Sequence, residues 1–340
     1  MSEKIFLDHT AYSHASKNAI CAMMPFFERA CRVDKELYSD IDAAHKRIKE
    51  LFGADGDAQF IFTSSGAEAD AIALHSAYHM RTKHEGRNHF VGTSQFAPSV
   101  INYEDDGVCV KLAELSTNGF VTKEALIEAI SPRTAMVSLA WASGRTGVMQ
   151  PLEEIAQVCQ ERAIWLHVDA THVVGKLSIN FSELPIDILT FSGHAIQAPQ
   201  GTGGLFAKKM IPLRPCVFDP PFTLPLFIGL GEAAFLAKDT ESLYCSEVCR
   251  LRDMFERGVV AGKVVHGDEA RVCHISAIHF AGINPELLAF SLARKGLFVD
   301  WSPHADFLTF SLTKDTQEHE LERALLIINE TVKRLKKVSL

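Results

Sequence analysis

Strand-length apolar runs alternate with helix-length amphipathic stretches through the first two thirds of this chain, and that alternation restricts the fold more than any other feature. Gln59–Phe62 reads as a short apolar strand, and the turn Ser64-Ser65-Gly66 leads into a helix expected from about Ala67 to Met80. Ala135–Trp141 and Ile164–Val168 read as buried strands joined through a helix at Leu152–Arg162, and Ile186–Phe191 and Gly203–Ala207 follow as two more strands. Ahead of them, Ile41–Phe52 carries apolar and charged residues at helical spacing, with Gly53 suited to end the helix. Strands alternating with helices pair in parallel through right-handed crossovers. The expectation is a layered α/β domain whose ligand site lies beyond the carboxyl ends of its strands.

After Pro212 the texture changes, because Pro212, Pro215, Pro220, Pro221 and Pro225 cluster in an apolar stretch that reads as neither regular helix nor central strand. A domain crossing is expected there. Beyond it come a helix at about Gly229–Arg257, strands around Val272–Phe280 and Phe307–Leu312, and a terminal helix Gln317–Lys337 that starts at Thr316. The basic residues Lys333, Arg334, Lys336 and Lys337 complement that helix's C-terminal dipole and read as a solvated end.

Composition narrows the function classes. With 340 residues, 47% of them hydrophobic, the chain can bury a large core and is not a disordered one. Its net charge of −8 offers no electrostatic footprint for nucleic acid or an anionic membrane, which leaves small ligands and protein partners. Eight cysteines are scattered without a Cys-x-x-Cys pair or a zinc-like spacing. Cys245 and Cys249, four residues apart on an expected helix, read as helix-face residues rather than a metal pair. No apolar run approaches the length of a membrane span, and MSEKIFLDHT does not read as a secretory signal, so a cytoplasmic location is expected.

Three segments carry chemistry. The first is Ile5-Phe6-Leu7-Asp8-His9. The second, Phe62-Thr63-Ser64-Ser65-Gly66-Ala67-Glu68-Ala69-Asp70, could cradle a phosphate on backbone N–H groups at a helix start, although alone it reads equally as a capping turn. The third runs Leu166-His167-Val168-Asp169-Ala170-Thr171-His172 through Gly175-Lys176, then Ile186-Asp187-Ile188-Leu189-Thr190-Phe191-Ser192-Gly193-His194-Ala195, and ends Gly201-Thr202-Gly203-Gly204-Leu205.

Together these segments resemble the NifS/IscS-type cysteine desulfurases of the class V aminotransferases, strongly over residues 1–206 and weakly afterwards. The resemblance implies a pyridoxal-phosphate-dependent transferase fold of type I: a mostly parallel seven-stranded sheet between helices, with a small α+β domain. It places the large α/β domain at residues 15–230 and the small domain at 1–14 plus 231–340. It further implies that Asp169 faces the pyridine nitrogen of pyridoxal phosphate and keeps it protonated, a position that spacing alone would read as a turn after a strand. Ser65, Gly66, Ala67, Ser192 and His194 fall at phosphate-binding positions. His172 stands where the family carries a Gln that bonds the cofactor's phenolic oxygen; alone it reads as an interior histidine.

The pattern breaks where the resemblance implies a lysine that holds the cofactor as an imine, because Ser192-Gly193-His194 is followed by Ala195. Pro199 is followed by Gln200, and Lys176, Lys208 and Lys209 match no catalytic position. The ring-stacking histidine falls at Ala97, with Phe96 beside it, and the ring-side asparagine at Ser143. Leu297–Phe307 reads as a short connection without the nucleophilic cysteine, and the substrate-carboxylate arginine falls at Thr309. The segment by which one subunit completes its partner's phosphate site is replaced by Phe218–Leu226.

The resulting expectation is a desulfurase-like protein without desulfurase activity, with pyridoxal phosphate either absent or held noncovalently, acting through a partner or a ligand. The alternative is an active enzyme with rewired chemistry, or one in which Ala195 is an engineered substitution. A twofold homodimer is expected, with Pro212–Leu230 near its interface; an active desulfurase or an iron–sulfur assembly protein is a further candidate partner. No catalytic residue, metal, nucleic acid or membrane is expected.

Overall fold

In the computed structural model, residues 4–10, 13–28, 35–54, 56–94, 107–214 and 224–338 are described. They divide into two compact units. The larger contains residues 13–141 and 150–241; the smaller contains 1–12, 142–149 and 242–340.

In the larger unit, the helices are α1 (Lys17–Glu28), α2 (Lys35–Phe52), α3 (Gly66–Ala77), α4 (Lys123–Ala129) and α5 (Leu152–Glu161). Its strands are β2 (Gln59–Thr63), β3 (His89–Thr93), β4 (Cys109–Ala113), β5 (Thr134–Ala140), β6 (Trp165–Asp169), β7 (Ile188–Ser192) and β8 (Gly203–Ala207). They form one seven-stranded sheet in the order β2-β8-β7-β6-β5-β3-β4. The pairs from β4 through β7 are parallel, and β8 runs antiparallel to both β7 and β2. All residues of β3, β5 and β8 are buried, as expected of strands covered on both faces. The expected mostly parallel seven-stranded sheet is therefore present. Gly53 adopts φ +56°, the left-handed conformation that closes α2.

The smaller unit holds β1 (Ile5–Leu7), β9 (Lys263–Val264), β10 (Ile275–His279), β11 (Leu297–Trp301) and β12 (Phe307–Ser311), ordered β1-β11-β12-β10-β9. Helices α7 (Pro285–Ala293) and α8 (Glu318–Val338) accompany them, and Ile5, Leu7, Phe255, Phe310, Leu321 and Ile328 share one buried cluster.

Four local expectations change. The long helix α6 (Leu224–Gly258) begins inside the proline-rich stretch, because a proline in the first helical turn lacks only an N–H that would have no intrahelical acceptor. Phe227, Ile228 and Leu230 are buried, with Phe227 edge-on to Phe62 at 5.4 Å between ring centres, so these side chains of the expected interface stretch serve the fold. Phe218 and Phe222, like Phe96 and Ala97, lie outside the described residues. α3 gives way at Tyr78 to a π-helical turn through Lys83, and Leu297–Trp301 is a full strand, β11, rather than part of a connection.

Candidate functional site

The parallel strands β6 and β7 end side by side, and the chain leaving each of them supplies the site. Asp169 is the last residue of β6, and its Oδ1 accepts hydrogen bonds from Thr171 N at 2.8 Å and Thr171 Oγ1 at 2.6 Å. The Thr171 hydroxyl in turn accepts from Ser192 N at 3.0 Å, and Ser192 Oγ accepts from Gly66 N, the first residue of α3, at 3.0 Å. One hydrogen-bonded chain therefore joins the carboxyl at the end of β6 to the start of α3 through Thr171 and Ser192. Four of the sequence-derived positions, Ser65, Gly66, Asp169 and Ser192, are drawn together by it or by the cap beside it.

The start of α3 is tightly fixed. Ser65 is the N-cap, with Oγ accepting from Glu68 N at 3.1 Å, and the Glu68 carboxylate accepts from Ser64 N and Ser64 Oγ at 2.7 Å each. Strand β8 passes so close that a Cβ on Gly203 would lie 2.5 Å from the Ser65 carbonyl carbon, which accounts for the glycine at that position. Gly66 and Ala67 open the helix as expected.

Beneath the carboxyl lies a buried polar layer that sequence reasoning did not mark. Ser138 Oγ lies 2.7 Å from His167 Nδ1, His167 Nε2 lies 2.9 Å from Thr190 Oγ1, and Thr190 Oγ1 donates to Asp70 Oδ1 at 2.7 Å. Burial lowers the His167 pKa to about 3, so the ring is neutral. A neutral imidazole satisfies this arrangement by accepting from Ser138 at Nδ1 and donating to Thr190 from Nε2. Burial also raises the Asp70 carboxyl well above its ordinary range, with the Asp169 charge adding to the shift, and burial raises Asp169 itself against the lowering effect of the Thr171 bonds. The downstream signal for this layer was weak, since Asp70, Ser138, His167 and Thr190 come from four separate elements and only the fold brings them together.

This is an environment suited to a cationic ring nitrogen: two buried carboxyl groups, neither of them drawn down by a cation among the described residues. Asp169 could therefore meet a pyridinium nitrogen such as that of pyridoxal phosphate, and the Ser65–Ala67 turn with Ser192 could hold a phosphate. His172 is a neutral ring, its pKa lowered to about 3 by burial and by the Lys176 and His194 charges. It can thus donate or accept a single hydrogen bond.

The covalent end does not fit. Strand β7 runs into a short 3-10 turn, Gly193–Ile196, on which Ala195 presents a methyl group that can form no imine. The amine found beside it belongs to Lys176, a buried side chain whose Nζ donates to the Ala195 carbonyl oxygen at 2.5 Å. His194 shares that turn. Gln197, which follows, is left-handed at φ 57°, and its carbonyl accepts from Ser16 N.

Two of the other divergent positions lie in the smaller unit. Ser143 Oγ accepts from Arg145 N and Thr146 N within its own turn. Thr309 is buried on β12, directly opposite Asp300 of β11, and its hydroxyl donates to the Arg145 carbonyl at 2.9 Å. Both side chains are engaged in local structure. Among the described residues no group of histidine, cysteine and carboxylate side chains is arranged to hold a metal, and no helix is long and apolar enough to cross a membrane. A groove of about 620 Å³ beside the C-terminal end of α2 is lined by none of the candidate residues.

Comparison with known proteins bears on the same region. The aminotransferase class V family model matches residues 5–217. The chain is 30% identical over 322 residues to a cysteine desulfurase of Cereibacter sphaeroides, covering 87% of this chain and 82% of that protein. It is 29% identical to a cysteine desulfurase of Gluconacetobacter diazotrophicus, covering 86% and 79%, and 29% identical to a putative cysteine desulfurase, IscS 1, of Bacillus subtilis, covering 87% and 84%. A NifS-like protein from Rickettsia africae superposes with a TM-score of 0.88 at 18% identity, over 97% of this chain and all of that one. Another NifS-like structure superposes at 0.90 with 19% identity and the same coverage.

Proposed function

As a member of the class V aminotransferase family with cysteine desulfurases among its relatives, this chain, we propose, retains that family's cofactor cradle without its covalent chemistry. It holds pyridoxal phosphate noncovalently, does not desulfurate cysteine, and acts as a ligand-loaded binding partner. The observation that carries this reading is the contrast at Ala195: the hydrogen-bonded chain from Asp169 through Thr171 and Ser192 to α3 is complete, whereas the residue after His194 has no amine.

When bound, pyridoxal phosphate supplies an electron sink whose strength depends on a protonated ring nitrogen. The residues of this chain have simpler duties. Asp169 accepts from the ring N–H, and Thr171 fixes the carboxyl's orientation by occupying Oδ1. The Ser192 hydroxyl, which can donate while accepting from Gly66 N, and the Ala67 N–H would meet the phosphate, whose negative charge is favoured at a helix start. His172 donates to the ring's phenolic oxygen. Lys176, held on the Ala195 carbonyl, keeps the 3-10 turn in place.

The test uses purified protein incubated with pyridoxal phosphate and cysteine, against free cofactor as the control. Sulfide release at the free-cofactor rate is expected, and borohydride reduction followed by mass spectrometry should find no pyridoxyl-lysine. Turnover that saturates with cysteine would overturn the reading. That the relatives are cysteine desulfurases favours a second reading, an active enzyme, here with rewired chemistry. That reading requires an amine from another segment, and the geometry singles out Lys176, so a stoichiometric adduct there would establish it.

The same proposal includes a twofold homodimer in the cytoplasm. Ile20, Met24 and Phe27 recur at helical spacing on α1 and are 46%, 50% and 61% exposed, an apolar stripe suited to an isologous contact. Sedimentation at micromolar concentration should give twice the 37.5 kDa chain mass. A monomer that pairs only on addition of an active desulfurase or an iron–sulfur assembly protein would transfer the stripe to that partner.

A further inference from the structure

A pair of thiols in the smaller unit stands apart from everything above. Cys245 lies on α6 and Cys273 just ahead of β10, and their sulfurs are 3.9 Å apart. Neither is in a disulfide; Cys245 is half-buried, and Cys273 is 6% exposed within the unit's apolar cluster.

Their approach is held by rigid neighbours. Val272 N donates to the Gly147 carbonyl at 2.9 Å, and the Val272 carbonyl accepts from Arg252, on the same helix as Cys245, at 3.0 Å. Arg271 forms a two-pronged pair with Glu256 of that helix at 2.8 and 3.1 Å. On the other side, the His274 carbonyl accepts from Leu312 N at 2.9 Å. The backbone on both sides of Cys273 is therefore fastened, part of it to α6 itself. A disulfide needs the sulfurs at about 2.05 Å, and side-chain rotation is the available route from 3.9 Å.

We propose that Cys245 and Cys273 are an oxidation site, a dithiol that closes to an intrachain disulfide by exchange with small-molecule disulfides of the glutathione type. The more exposed Cys245 thiolate attacks one sulfur of the disulfide, forming a mixed disulfide and expelling one thiolate. The Cys273 thiolate then attacks the Cys245 sulfur, forming the protein disulfide and expelling the second thiolate. Each protein thiol loses one proton, and the small disulfide is reduced to two thiols. Cys249 is a bystander: a disulfide between helix positions four apart would require the helix to unwind.

The experiment equilibrates the full chain with a series of reduced and oxidised glutathione mixtures, quenches with an alkylating agent and maps peptides by mass spectrometry. A Cys245–Cys273 cross-linked peptide, two mass units lighter than the separate thiol peptides, is expected. Cys249→Ser should leave it unchanged. Cys273→Ser should stop at the intermediate and carry glutathione on Cys245. The oxidised wild-type chain should melt a few degrees higher than the reduced one, since the bond closes a loop that the unfolded chain would otherwise leave open. Full alkylation of both cysteines after prolonged exposure to excess oxidised glutathione would overturn the proposal. So would a cross-link that joins Cys245 to Cys249.

Discussion

The ends of β6 and β7 are neighbours in one sheet and differ in the chemistry they present. The β6 end carries a carboxyl, a threonine and a neutral ring at Asp169, Thr171 and His172; the β7 end carries Ser192 and His194, followed by the methyl group of Ala195. Thr171 and Ser192 have second duties inside the protein. Thr171 holds Asp169 and accepts from Ser192, and Ser192 accepts from Gly66. Removing any one of them leaves a donor or acceptor without its partner, at a cost the fold itself bears. The Ala195 side chain takes no part in that network, since a methyl group neither donates nor accepts a hydrogen bond.

Restoring the β7 end is the strongest way to break this contrast. Ala195→Lys should convert a protein with no pyridoxyl-lysine into one that carries one cofactor per chain after borohydride reduction, an all-or-none change in the mass spectrum. If the variant captures no more cofactor than the parent, the β6 end has drifted as well, and the contrast fails.

Damage to the β6 end should cost stability. Thr171→Val keeps the side chain's shape but removes the hydroxyl bonded to both Asp169 and Ser192, and should lower unfolding free energy by about 2–3 kcal/mol in urea denaturation. It should also weaken pyridoxal phosphate binding about tenfold or more. A loss below about 0.5 kcal/mol would show that Thr171 carries no such load.

The buried ring of His172 gives a pH signature. Its folded pKa, about 3, lies below its ordinary value of 6.5, so at pH values between the two the unfolded chain binds a proton that the folded chain does not. Stability therefore falls as pH drops through that window. The raised carboxyls of Asp70 and Asp169 act with the opposite sign, since the folded chain holds their protons more tightly. His172→Gln isolates the histidine's share: relative to the parent, the variant should gain about 2 kcal/mol between pH 7.5 and pH 5. Parallel pH profiles for the two proteins would contradict a buried, neutral ring.

The smallest effect belongs to the α3 start. Ser65→Ala removes the N-cap bond to Glu68 N and should cost about 1 kcal/mol. Because the Glu68 bonds to Ser64 remain, cofactor binding should weaken less than in Thr171→Val.

What the sequence disclosed follows the same physics. Apolar runs announced β2, β5, β6, β7 and β8 to within a few residues; for the last four the reason is that central strands covered on both faces have little freedom in composition. The beginning of α6 was hidden because Pro225 is a breaker within a helix but not in its first turn. β11 is obscured because its pattern does not alternate cleanly: of Leu297–Trp301 only Leu297 is buried, and Asp300 stands inside the strand. Thr171 went unmarked as a site residue because its local bond to Asp169 is visible in sequence whereas its bond to Ser192 is made by the sheet. Lys176 stayed obscure for a similar reason: nothing along the chain indicates that its amine ends at the Ala195 carbonyl.

The pairing of β1 with β11 has a consequence for how the molecule is made. Ile5 is matched to Leu297, and Ile5 and Leu7 are buried in the smaller unit's core. At about 5–20 residues per second of synthesis, the amino-terminal strand waits roughly 15 s to a minute before its partner leaves the ribosome. During that interval the larger unit's sheet can close while two apolar side chains at the nascent amino end have no docking place, so this unit is the last to form and the one a chaperone would guard.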